Sequence, residues 1–196
     1  NEDSLIAAKK LKVAVDALVA TPSAETLAAA KTAWVAARVP YQQSESFRFG
    51  NAAVDEWEGK VNAWPLDEGL IDYVNADTYG TESGENPLYT ANIIPHPKLK
   101  VGGKSVNASK ADKKLLEKMH EAGGVEANVA SGYHAIEFML WGQDLNGTGP
   151  GNGARPASDF SLEACTNDHC DRRRDYLASA TDLLVADLEE MVANWE

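Results

Sequence analysis

Apolar residues recur at three- and four-residue intervals through much of the chain, the pattern of helices that pack by one face. Residues 4–20 place Leu5, Ala8, Leu11, Val15 and Leu18 on one stripe. Thr21-Pro22 reads as an N-cap followed by a first-turn proline. The next helix carries Leu27, Ala30, Trp34, Ala37 and Tyr41, and the short connection predicts a helical hairpin. Along the second helix the pattern changes: Trp34, Arg38, Tyr41, Glu45 and Arg48 share a face. Pro40 is expected to kink it. This face is either a solvated helix end laced with ion pairs or a polar wall in which Arg38, Tyr41 and Glu45 line a cavity.

Farther along, Trp64-Pro65-Leu66-Asp67-Glu68 reads as a helix start, its acids placed against the helix dipole. Residues 75–107 are rich in Gly, Pro, Asn and Thr and lack periodicity, so a long irregular excursion is expected. His96, between two prolines, reads as a solvated loop histidine. Ser109 is the expected cap of a helix over 110–122 with Leu115, Leu116 and Met119 inward. A final helix over 171–195 puts Leu177, Ala180, Leu184, Leu188, Met191 and Trp195 on one stripe. It reaches the end of the sequence without a stop signal, as though the architecture continued. No strand alternation of useful length appears. The expected fold is all-α, a helical bundle of the four-helix type with long irregular insertions.

The predicted helix over 125–141 carries the chemistry. Its stripe is Val129, Tyr133, Ile136 and Leu140, and Gly132 suits a close backbone approach. The helix is apolar nearly all round, which predicts burial, yet it holds His134 and Glu137 one turn apart. A buried imidazole and carboxylate must pair with each other, with distant partners or with a metal. His-x-x-Glu can present two donors to one zinc or iron ion, and the residues alone do not choose between these metals. The zinc-peptidase patterns His-Glu-x-x-His and His-x-x-Glu-His are absent, because Phe138 follows Glu137. After Gly142, Asp144, Asn146 and Thr148 imitate the first half of a calcium loop, but Arg155 stands where a bidentate glutamate is needed.

Composition adds exclusions. A formal net charge of −12 disfavours nucleic acid and anionic membrane and favours cations. No apolar run approaches the roughly 20 residues of a membrane span. Cys165 and Cys170 enclose four residues, Thr-Asn-Asp-His. A zinc site using both and His169 lacks a fourth ligand, so a small disulfide loop is the better reading, and with it an oxidising compartment. Asn1 in place of Met is consistent with a trimmed N-terminus.

The stretch Gly132-Tyr-His-Ala-Ile-Glu-Phe-Met-Leu-Trp-Gly-Gln-Asp144 resembles the Gly-x-His-x-x-Glu signature of the imelysin-like family. Trp34 to Glu45, Phe47-Arg-Phe-Gly50, Trp64-Pro-Leu-Asp67, Arg155-Pro-Ala-Ser-Asp159-Phe160 and Arg172 to Leu177 match its other blocks in order. The resemblance implies a bacterial periplasmic or outer-membrane-associated protein linked to iron uptake. It also implies paired four-helix bundles with the signature near their interface, and known members about twice this length. Residues 1–196 would then form the N-terminal region, one bundle plus the start of a second, with its own C-terminal half as partner. Membrane anchoring through a removed lipoprotein signal is a further implication. By position, His134, Glu137 and Glu45 become the metal-site candidates, with Arg38, Tyr41, Asp67, Arg155 and Asp159 as lining. Val39 departs from the pattern, standing where a glutamate is frequent.

Three functions compete. The first is a binding protein for iron, zinc or a small metal chelate, with no organic cofactor implied. The second is a metallopeptidase acting on peptides, with Glu137 or Glu45 as general base on a metal-bound water. The third treats the site as a hydrogen-bonded polar cluster of the core, with function carried on surface loops.

Overall fold

The computed structural model describes residues 2–47 and 50–195, without the side chains of Glu56 and Trp195. Arg48, expected on the charged face of the second helix, and the Trp195 side chain therefore lie outside the described residues. Helix α1 (Glu2–Ala20) buries Ser4, Ala8, Leu11, Val15 and Leu18, and α2 (Ala24–Ser44) buries Leu27, Ala30, Trp34, Ala37 and Tyr41. Their link is capped differently from the expectation. Ser23, not Thr21, is the N-cap, and it exchanges hydrogen bonds with Thr26 in a capping box. Pro40 lies inside α2 without ending it. The long α8 (Cys170–Trp195) packs on α1 and buries Leu177, Ala180, Leu184, Leu188 and Met191. These three helices form the frame of a bundle.

Helix α3 (Ala52–Asn62) adds Trp57 and Val61 to the core, and Trp57 Nε1 donates to Asp187 O on α8 at 2.7 Å. Helix α7 (Gly132–Trp141) then threads between α2, α3 and α8. It is shorter than expected, because residues 125–131 are not helical. The buried Asn128 holds that segment in a turn, its Nδ2 donating to Ala122 O at 2.6 Å. Gly132 opens α7 with φ +83°, and a Cβ there would lie 2.6 Å from Val61 O and 2.9 Å from Lys60 O. Only glycine lets α7 cross α3 this closely.

The excursion between α3 and α7 is largely irregular, as expected, with short α4 (Glu68–Ile71) and α5 (Ala76–Tyr79). It also contains an unexpected antiparallel hairpin, β1 (Lys98–Val101) with β2 (Lys104–Asn107). Each strand is four residues long, too short for alternation to register; Leu99 and Val106 are buried and Val101 packs against the core. Helix α6 (Lys113–Met119) buries Leu115, Leu116 and Met119 but is capped by Asp112, whose carboxylate accepts from Leu115 N. Ser109 does not cap it; Ser109 O is engaged by Arg172 at 2.7 Å. That same guanidinium donates to Ile93 O (2.9 Å), Ala108 O (2.6 Å) and Ile94 O, fastening the excursion to α8. The fold is predominantly helical, and no described helix is long and apolar enough to cross a membrane.

Candidate functional site

A cleft of 240 Å³ opens where α7 meets the start of α4 and the loop after α7. His134, Glu137, Glu68 and Asp144 bring ionisable groups to it, between Trp64 and Trp141. The His134 and Glu137 side chains are 17% and 41% exposed, so this face of α7 is half open rather than buried as its composition suggested. His134 Nδ1–H donates to Glu137 Oε2 at 3.0 Å. This orients the ring and leaves Nε2 without a hydrogen-bond partner among the described residues. Trp64 covers the imidazole at 4.9 Å between ring centroids while remaining largely exposed itself.

Glu68 belongs to this site although the sequence marked it only as a helix-dipole acid. Burial pushes its carboxyl up to about 7; Arg155 opposes the shift, and Asp144 and Glu137 add to it. Asp144 was visible in a calcium loop that fails and as the last residue of the signature stretch, with no role of its own. What could have revealed both is the aromatic pair around the signature: Trp64 precedes Glu68 by four residues and Trp141 precedes Asp144 by three. Among the described residues no three His, Cys, Asp or Glu side chains converge as a metal cage. The chemistry on offer is one free imidazole nitrogen with carboxylates around it. A metal held here would take part of its coordination from elsewhere.

The other expected site residues lie around this cleft rather than in it. Arg38 donates to Asn62 Oδ1 at 2.6 Å and stacks 5.3 Å from Tyr41 and 5.0 Å from Tyr133, the residue before His134. Burial pushes the Tyr41 and Tyr133 hydroxyls well above the usual phenol range. Glu45 sits exposed on the turn after α2, where its charge acts on Tyr41, and does not line the cleft. Asp67 stands at the N-cap position of α4 without capping it; its Oδ2 accepts from Asn86 Nδ2 at 2.6 Å.

Arg155 and Asp159 belong to a buried ionic knot behind the cleft. Arg155 Nη1 donates to Asp72 Oδ2 (2.7 Å) and Asp159 Oδ2 (3.1 Å), and Arg173 Nε donates to Asp72 Oδ2 (2.6 Å). All four side chains are at most 1% exposed. Burial pushes Asp72 up, but the two guanidiniums together hold its carboxyl below the usual range. Asn167 Nδ2 donates to Asp159 Oδ1 at 2.7 Å. Asn167 is carried by the loop that the Cys165–Cys170 disulfide closes, with Cα atoms 5.9 Å apart. The disulfide removes the zinc reading of Cys165, His169 and Cys170, because its sulfurs are no longer thiolates.

The chain as a whole is similar to known proteins. The model of the Imelysin family matches residues 2–196. Iron-regulated protein A of Synechococcus elongatus is 37% identical over 60 residues, 31% of this chain and 17% of that protein. A solved structure from Parabacteroides distasonis, provisionally described as an iron-regulated protein A precursor, is similar with a TM-score of 0.59 and 23% identity. That likeness covers 99% of this chain and 40% of the other, so the matched regions take in less than half of either relative.

Proposed function

This chain belongs to the Imelysin family, and we propose that it is an iron-associated bacterial protein of the periplasm or outer-membrane surface whose half-open cleft binds a metal ion or small metal chelate. The observation that carries the reading is His134: Glu137 fixes its Nδ1 while Nε2 faces a cleft that also holds Glu68 and Asp144. A carboxylate that orients a histidine and raises its basicity is the usual support of a metal-binding imidazole. With no complete cage among the described residues, a chelate that brings its own donors suits the site better than a bare ion. The names of the two relatives, both iron-regulated, support iron as the cargo. Longer relatives leave room for further donors from a C-terminal region, which we include in the proposal. Calorimetry and anomalous scattering with ferrous, ferric and zinc ions test it. Micromolar or tighter binding that His134→Ala abolishes is expected; no binding by any ion, or binding indifferent to His134, rejects it.

Peptide hydrolysis is the second reading, favoured by one observation. A carboxyl at about 7, such as that of Glu68, is poised to take a proton from water near neutral pH. In that case Glu68 joins Glu137 as a candidate base, and Glu45, outside the cleft, recedes. Hydrolysis that is lost on chelation and restored by added zinc is its test.

A further inference from the structure

Arg155 carries an unexplained feature. Its Nη1 serves Asp72 and Asp159, but Nε and Nη2 are buried and have no hydrogen-bond partner among the described residues. These two atoms form the side-on edge of the guanidinium, the pair of parallel N–H groups that matches a carboxylate bidentately. An unmet buried donor costs free energy, and two on one charged group are rarely left so without a reason. The residue also borders open space. Arg155 lines a second cavity of 410 Å³ together with Tyr73, Trp141, Gly142, Gln143 and Asn152. At Gly142 a Cβ would stand 3.4 Å from Arg155 Cβ and 3.6 Å from Nε, so this glycine packs directly against the Arg155 side chain. Trp141, Gly142 and Asn152 line this cavity and the His134 cleft alike.

We propose that the Nε–Nη2 edge of Arg155 is a binding subsite for the carboxylate of an organic ligand, whose body lies in the cavity against Trp141 and Tyr73. Three observations favour an organic acid over a bare inorganic anion. The edge offers two parallel donors and not a ring of them. The walls are aromatic rings and side-chain amides. The knot around Arg155 and Arg173 is already balanced by Asp72 and Asp159, so a multiply charged anion would enter against uncompensated repulsion. Lys31, which stacks on Trp141 at 5.3 Å, adds a second cation on that side. The subsite stands independently of the metal reading, since it uses none of the proposed donors.

The test is nitrogen-15 NMR of the arginine Nε–H groups in the intact chain, with benzoate as the probe and benzamide and inorganic phosphate as controls. Benzoate should shift the Arg155 Nε–H resonance and quench tryptophan fluorescence with the same saturation curve, while benzamide leaves both unchanged. Arg155→Lys, which keeps a cation for the two aspartates but removes the paired donors, should weaken benzoate at least about tenfold, the loss of one charge-assisted hydrogen bond. Because that variant could disturb the knot, Asn152→Trp provides a second arm. It narrows the mouth without touching Arg155 and should weaken benzoate while the Nε–H resonance of the free protein stays in place. His134→Ala should leave benzoate binding within about twofold, which separates this result from the metal test. No benzoate shift, equal binding of benzamide, or phosphate binding as tightly as benzoate overturns the proposal.

Discussion

The two polar clusters beside α7 are built largely from charged side chains and differ in burial and in how nearly their charges cancel. In the knot, Arg155, Arg173, Asp72 and Asp159 are all but sealed from solvent and their charges cancel. In the cleft, His134, Glu137, Glu68 and Asp144 are partly open, carry a surplus of acids and leave an imidazole nitrogen unused. Burial alone therefore does not mark a site. The knot is scaffolding that fixes the loop after α7 and the start of α8, whereas the cleft holds charge it does not neutralise. An unneutralised acidic group half in water is tolerable, and it is available to a cation.

The largest effect should come from breaking the knot. Asp72→Ala leaves two buried guanidiniums short of a partner and should cost about 3–5 kcal/mol, read as the midpoint shift in urea unfolding at pH 7. Because the cluster's guanidiniums hold Asp72 low, its contribution is present above the unfolded carboxylate range and lost as pH falls through the folded value. A wild-type chain should thus lose stability in acid that the variant has already lost. Next, replacing both cysteines by serine opens the loop carrying Asn167. For so short a loop the entropic cost is about 2 kcal/mol, measured by thermal unfolding of the variant against the oxidised chain. His134→Ala should be smaller still, because its partner is 41% exposed. Such pairs contribute at most about 1 kcal/mol, and a loss above 3 kcal/mol would show that the cleft is scaffolding after all. Glu68 distinguishes the two regions by the sign of its pH dependence. Glu68 has a raised carboxyl, near 7, so its folded state prefers the proton. Stability it contributes is present below the ordinary glutamate range and lost as pH rises through about 7. Glu68→Gln should flatten that decline in unfolding curves between pH 5 and 8. A residual slope is expected from Asp187, which burial pushes up to about 6.

How much of this could be read beforehand depends on range. The stripes of α1, α2 and α8 are local, and each apolar residue they contain, among those described, is buried or packed on the core. Gly132 was legible because a glycine inside an apolar run needs a backbone reason, and Val61 supplies it. The His134–Glu137 spacing was legible as a helix turn. Its exposure was not, because composition tells what a helix can bury and not what is present to cover it. The knot was out of reach: Asp72 is 83 residues from Arg155 and 101 from Arg173, and no local pattern pairs them. Arg155 and Asp159 were singled out by resemblance and assigned to the pocket wall, and Asp72 was not singled out. Start signals at Thr21 and Ser109 misled because several capping residues stood together, and hydrogen bonding selected Ser23 and Asp112.

The adjacent arginines that open α8 have a consequence for the order in which the chain can mature. Arg172 gathers carbonyls from residues 93–109, and Arg173 takes Asp72. Translation delivers those acceptors before their donors, and at roughly 5–20 residues per second the interval between Asp72 and Arg173 lasts several seconds or more. Throughout it, the α1–α2 hairpin can zip locally, while the excursion waits with its carbonyls and its acid still hydrated. Contacts of such sequence separation close late because loop entropy must first be overcome. The first turn of α8 is thus a latch that can close only once residues 172 and 173 have been made, and until then the chain remains open along the side where the knot will form.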